Sequence, residues 1–384
     1  MARMFNEDAL LQAAAGQVPE ADFGPETFRP ALGALIDGLT GEAALTMPGA
    51  WAAVGRLVQS LKRRRILSQL VAADPRLAEG VIEAPIVIVG FPRTGTTLLH
   101  NLLASHPAHR AIRLWEMREP FAPVNAPSTW AEDVQQVTAQ LVEAGYQMAP
   151  RLADIHPLRA QWPDECSWLF RNSFATLVNA FSHYMPTYAD WVMDRDMTPD
   201  YAYYRLQLQA ILSQRPGQPL VLKNPCHVWH LPALLSVFPD ARIVQLHRDV
   251  TDVVGSFASL CHALQEGTSE VRSDVELGAY ALHMLKVGME RMLAARAALP
   301  ATSFTDLGYD TLVADPLKVL RELHAGWGLS FDDAAAQAAE RWLGEGKKLT
   351  GRHAYDLSRF GLSDEAVCDV FTQYTTRFHS FLPA

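Results

Sequence analysis

The chain has 384 residues, 49% hydrophobic and 20% charged, the balance of an ordinary globular protein with an ample core. Its formal net charge of −9 excludes nucleic acid as a bulk electrostatic partner, and no apolar run reaches the roughly 18 residues of a membrane span. The four cysteines, Cys166, Cys226, Cys261 and Cys368, are too widely spaced for a disulfide framework, and the acids near the amino terminus do not suit a signal peptide, so the setting reads as reducing and cytoplasmic.

Residues 1–80 read as a helical extension, with helical periodicity over about 26–40 and 51–72. The basic run Lys62-Arg63-Arg64-Arg65 lies inside the second segment and reads as its solvated face. Pro85 opens the main domain, residues 81–384. Residues 86–89 (IVIV) are a short buried run, most simply a first strand of a parallel sheet. An amphipathic helix follows Thr96 and Thr97 and stops at Ser105-His106-Pro107. Residues 110–119 are mixed in pattern, a strand running into a loop. Helices are expected over 131–148, 164–182 and 198–214, within an insertion of about 120–215. Residues 219–223 (PLVLK) and 242–246 (RIVQL) read as further strands, and 303–307 as another. Helices are expected over 231–238, 251–262, 274–298 and 316–327. This alternation defines an α/β fold, a P-loop-like parallel sheet flanked by helices with an N-terminal helical extension.

The chemistry concentrates in Gly90-Phe91-Pro92-Arg93-Thr94-Gly95-Thr96-Thr97. Strand, glycine loop and helix start make a phosphate cradle, because glycines admit the ligand to the backbone and free N–H groups of the first turn point at it. The spacing is nearly that of a Walker A loop, and Thr97 sits where a Mg-binding hydroxyl would be. Thr96, however, holds the lysine position, and the cation has moved to Arg93. That chemistry suits an anion without a γ-phosphate. A second stretch, residues 242–260, places Arg248 just past a strand end and Ser256 eight residues on, in the next helix. The arginine offers bidentate donors to a phosphate and the serine adds a hydroxyl. Lys223 ends the PLVLK strand at the same sheet edge and points into the cleft. His247-Arg248-Asp249 imitates a kinase catalytic loop, but Val254 stands where asparagine is needed. The pair His227 and His230 lacks a third ligand and reads as helix surface; no metal is expected.

GFPRTGTTLLHNLL resembles the 5′-phosphosulfate loop of sulfotransferases that use 3′-phosphoadenosine 5′-phosphosulfate (PAPS), in the PRSGTT form of tyrosylprotein and many bacterial sulfotransferases. The resemblance covers roughly residues 84–316. It implies that Arg93, Thr94, Gly95, Thr96 and Thr97 bind the cofactor, that Arg248 and Ser256 hold its 3′-phosphate, and that Tyr309, in LGYDTLVADP, supports the nucleotide. Arg352, in the segment with Gly351, His353 and Tyr355, resembles the part that covers the cofactor. Lys223-Asn224-Pro225 matches the family's K-x-P setting, which makes Lys223 the cation on the bridging oxygen. Catalytic roles fall to Arg93, Lys223 and a base. Glu116 resembles the acidic base of tyrosylprotein sulfotransferases; His156 takes the role by analogy with the histidine of cytosolic enzymes, and Glu165 is the third candidate. The expected reaction is sulfuryl transfer to a hydroxyl or amine of a small acceptor. The aromatics Trp115, Phe121, Trp130, Trp162, Trp168, Phe170, Phe174 and Tyr184 suggest an alcohol, phenol or lipid-like compound, if they wall the cleft rather than fill the core. A homo-oligomer is compatible with this reading. The rival readings are a P-loop phosphotransferase using ATP and Mg²⁺ and a non-catalytic nucleotide-binding module.

Overall fold

Five short strands form one parallel sheet in the computed structural model, which describes residues 2–123, 125–217, 219–270, 272–346 and 356–383. The strands are β1 (Ile86–Gly90), β2 (Arg110–Ala111), β3 (Leu220–Lys223), β4 (Arg242–His247) and β5 (Phe304–Gly308). Their spatial order is β2-β3-β1-β4-β5. The chain leaves β1 toward one edge and later returns past it to the other, so β1 is the switch point where a doubly wound sheet opens its ligand crevice. Register brings the strand ends together: Ile88 stands opposite Lys223, Gly90 opposite Leu246, and His247 opposite Gly308.

Alternation along the strands divides the core in two. Ile86, Ile88, Val221, Val244 and Leu246 face the helices Thr96–Ala104 and Pro316–Gly326. Val87, Val89, Leu220, Leu222 and Ile243 face the opposite way, into the larger cluster. That cluster includes the N-terminal helices Glu7–Gln17, Arg29–Gly41 and Met47–Ala73, which share their core with the insertion. Both sheet faces are covered, which is why β1 and β3 read as unbroken apolar runs.

Three expectations are corrected. The helix expected over 164–182 is broken into Ser167–Phe170, a 3₁₀ turn Arg171–Ser173 and Leu177–Ser182. Phe174 adopts φ +63° at the break, and its carbonyl accepts a 2.6 Å hydrogen bond from the Tyr188 hydroxyl. The basic run at 62–65 is not wholly solvated: Arg64 is 1% exposed and Arg65 is buried. Arg64 donates to the carbonyls of Phe23, Pro25 and Asn172 and stacks on Phe28 and Tyr203. A guanidinium can satisfy several orphan carbonyls at once, which an ammonium cannot do with the same fork geometry. His227 and His230 are buried rather than on a helix surface, and Tyr201 holds the Nδ1 of His227 at 2.6 Å.

Arg64→Met leaves three carbonyls without their donor in a packed region. The expected cost is about 3 kcal/mol of stability, read from the denaturant midpoint, while Lys62→Ala is expected to cost less than about 0.5 kcal/mol.

Candidate active site

The loop after β1 is shaped by three residues with positive φ: Gly90 (+147°), Arg93 (+73°) and Gly95 (+93°). A Cβ on Gly90 would lie 2.7 Å from the Thr94 hydroxyl and 2.9 Å from the Leu246 carbonyl oxygen. One on Gly95 would lie 2.5 Å from the Tyr309 ring. Both glycines are therefore demanded by close approach as well as by backbone conformation. Thr94 is buried, and both its hydroxyl and its N–H turn back to the Phe91 carbonyl. It braces the loop from inside. The buried Thr96 leaves the same face to its backbone. Among the described residues, the N–H groups of Gly95, Thr96 and Thr97 have no acceptor, and they open the helix Thr96–Ala104. This is the free-donor cluster an anion needs.

Four of the sequence-identified residues, Arg93, Arg248, Ser256 and Tyr309, meet around this cluster. Arg93 Nε donates to Ser256 Oγ at 2.8 Å, and its Nη1 donates to the Ile155 carbonyl at 2.8 Å. Arg248 donates to the Arg93 carbonyl at 3.1 Å and to Asp252 at 2.8 Å, with its guanidinium 4.5 Å from the Tyr309 ring centroid. Tyr309 in turn packs on Gly95. The His-Arg-Asp sequence has structural work at both ends. His247 sits between the Tyr374 hydroxyl and Asp306, each at 2.9 Å, and Asp249 caps the helix Val250–Gln265. Asp306, paired with Arg296, ties the ends of β4 and β5 together, a role the sequence reading missed. Its only sequence signal is a carboxylate set inside a strand.

The second half of the site centres on Lys223, whose side chain is wholly shut from water at the end of β3. Its Nζ lies 2.8 Å from Glu165 Oε1 and 3.3 Å from Thr97 Oγ1. The Cys166 N–H donates to the Lys223 carbonyl at 2.9 Å, which holds the Asp164-Glu165-Cys166 segment against the strand end. Burial alone would raise the Glu165 carboxyl. The charge of Lys223, that of His156 and the lysine hydrogen bond outweigh it and leave the group below the ordinary carboxylate range. His156 is thus part of the same electrostatic neighbourhood, on the loop whose Ile155 carbonyl Arg93 holds. Buried His100 completes it, pushed down to about 3 by desolvation and by the Lys223 charge.

Glu116 is elsewhere. Its buried carboxylate pairs with Arg110, accepts the Arg113 N–H at 2.9 Å and lies 4.0 Å from Arg215. Arg110 is level with Leu220 in the sheet and Arg215 precedes that residue, so Glu116 is committed to the amino-terminal side of β3, away from Lys223. The geometry does not bring it to the cradle. Arg352, with Gly351, His353 and Tyr355, lies outside the described residues. Of the aromatics expected to wall an acceptor cleft, Trp115, Phe121, Phe170 and Phe174 are core, whereas Trp168 is half-buried beside the site.

A helix-start anion cradle at the switch point of a parallel sheet, with arginines and a buried lysine–carboxylate pair, defines a transferase of anionic groups. Residues 85–333 match the Sulfotransferase family, and the chain belongs to it. It is similar to the omega-hydroxy-beta-dihydromenaquinone-9 sulfotransferase Stf3 of Mycobacterium bovis, 27% identical over 332 residues, or 83% of this chain and 82% of that one. Among solved structures it is similar to the sulfotransferase STF1 of Mycobacterium tuberculosis (32% identity, TM-score 0.83, 96% of this chain and 98% of that one). It is also similar to STF9 of Mycobacterium avium (25% identity, TM-score 0.82, 97% and 96%). The protein is a sulfotransferase enzyme. The likeness reaches past residues 84–316 into the N-terminal helices, since it spans 96% of the chain.

If Glu116 is a structural partner, Glu116→Gln is expected to lower stability by about 2–4 kcal/mol, because Arg110 is left without its counter-charge. The kcat of the folded fraction should stay within about threefold of the parent. Paired unfolding and initial-rate measurements separate the two effects.

Proposed function

We propose that the enzyme moves a sulfuryl group from PAPS to a hydroxyl (or amine) of a small lipid-like acceptor, with Glu165 as general base. The observation that carries this reading is the 2.8 Å contact between Glu165 and the buried Lys223, alongside Thr97 at the helix start. Sulfotransferases generally use PAPS, and the residues present suit it. The free N–H groups of Gly95, Thr96 and Thr97 would receive the 5′-phosphosulfate. Arg248 and Ser256 would hold the 3′-phosphate, and Tyr309 would support the nucleotide beside them. When bound, PAPS supplies the sulfuryl group and leaves as adenosine 3′,5′-bisphosphate.

The protein's own contribution is placement and charge. Glu165, ionised at neutral pH, accepts the proton of the acceptor hydroxyl. Lys223 and Arg93 stabilise the negative charge that grows on the leaving side, in a region from which water is largely excluded. His156, whose charge acts on the Glu165 carboxyl, is the second candidate for the base. A lipid-like alcohol is the acceptor class that the Stf3 relative's name also carries. No helix among the described residues is long and apolar enough to cross a membrane; we read the enzyme as cytoplasmic.

Glu165→Gln keeps the shape and removes the base. The rate of sulfuryl transfer is expected to fall by about 10²–10⁴-fold with little change in bisphosphate binding. The pH profile gives an independent readout. The carboxyl is held below its ordinary range, so the base form persists as pH falls from about 8 to about 5 and is lost only on acidification below that range. An active Glu165→Gln, together with a His156→Gln that loses sulfuryl transfer, would give the role to His156.

A further inference from the structure

The long helix Met47–Ala73 presents Arg56, Gln59 and Arg63 on one face, three, four and seven residues apart. Opposite them stand Arg118 and Arg171, whose guanidiniums lie 5.3 and 4.3 Å from the Trp168 ring centroid. Among the described residues, this cluster holds four guanidiniums and two carboxylates. Glu119 is taken by Arg63 at 2.8 Å, and Asp164 by the Trp168 indole N–H at 2.9 Å. Arg56 meets the ring nitrogen of His183 at 3.1 Å rather than an acid. His183 adds no charge, since burial and the charges of Arg56 and Arg171 push it down to about 3.

The positive charge is unspent. Among the described residues, the side chains of Arg118 and Arg171 donate no hydrogen bond. Gln59 Oε1, Arg63 Nε and Arg171 Nε are closed off from water without a partner. Burial, then the like charges of Arg56, Arg118 and Arg63, push the Arg171 guanidinium down to about 9. Burial and Arg63 push Arg118 down to about 10. Like charges gathered at a partly buried site with donors left unpartnered carry a cost, and an anion is the group that offsets it. Planar forks stacked on an indole are also the geometry that reads an oxyanion through two parallel N–H bonds.

The cluster's place gives it a purpose. Asp164 and Trp168, against which Arg118 and Arg171 lie, belong to the same short segment as Glu165, which ties the arginines to the reacting end. We propose that they form an anion subsite of the acceptor cleft, which takes a carboxylate or phosphate at the far end of a chain whose hydroxyl receives the sulfuryl group. The proposal rests on the reading of Glu165 as the reacting end.

The test uses the full-length enzyme saturated with adenosine 3′,5′-bisphosphate and three chain probes: 12-hydroxydodecanoate, 12-hydroxydodecyl phosphate and 1,12-dodecanediol. Calorimetry should find at least one of the two anionic probes bound about tenfold or more tighter than the diol, the scale of a charge-assisted hydrogen bond. The comparison of carboxylate with phosphate identifies which oxyanion the site prefers. Arg171→Gln and Arg56→Gln should each remove most of that preference and leave diol affinity unchanged. Arg56 is exposed on its helix, so that variant keeps the test valid if Arg171→Gln does not fold. Equal binding of all three probes, or variants that keep the preference or weaken the diol as much as the anions, would overturn the subsite. Bisphosphate binding is the control: if the parent enzyme does not bind it, the cofactor reading fails, and if it binds but no anionic probe is preferred, only this inference fails.

Discussion

The buried ammonium of Lys223 is the constraint around which the site is assembled. A lysine charge with no access to water must find counter-charge and acceptors, or its burial becomes prohibitive. It finds them on two other segments: Glu165 from the insertion and Thr97 from the helix that follows β1. Satisfying one charge therefore fixes three pieces of chain against each other. The same arrangement holds the Glu165 carboxyl below its ordinary range although it is enclosed, which joins the energetics of the fold to the base role proposed for it.

The anion cradle next to it is a matter of backbone. Gly90 and Gly95 let the loop pass under Leu246 and the Tyr309 ring, and Arg93 is held at positive φ by bonds to Ser256 and to the Ile155 carbonyl. That strain is maintained by contacts from two distant segments, a pattern common where a loop must be preorganised for a ligand. Arg248 closes the ring by donating to the Arg93 carbonyl. A nucleotide kinase would place a lysine at position 96; here a buried threonine occupies it, and the positive charge approaches from the side instead.

Much of this was legible in the sequence, for identifiable reasons. Strands covered on both faces leave continuous apolar runs, so β1, β3 and β4 could be read directly. Arg93, Gly95, Arg248, Ser256 and Tyr309 lie in local motifs at strand ends, and strand ends converge in a parallel sheet. The surroundings of the candidate bases were harder to read. Glu116 lies close to the loop along the chain, but its direction is set by Arg110 and Arg215, the latter nearly a hundred residues away. Glu165 is 58 residues from Lys223, and only the folded backbone brings the two together. The buried Arg64 was hidden for a related reason: its carbonyl partners come from loops whose unsatisfied groups a sequence pattern does not display.

The central claim is that this cradle is built for a nucleotide with phosphates at both the 3′ and 5′ positions and without a metal ion. Isothermal titration of the enzyme with adenosine 3′,5′-bisphosphate and with adenosine 5′-phosphate, each in EDTA and in excess Mg²⁺, tests it directly. The account predicts that the bisphosphate binds about tenfold or more tightly than the monophosphate, with the same affinity in EDTA and in Mg²⁺. Equal affinity for the two nucleotides, or binding that appears only with Mg²⁺, would contradict it.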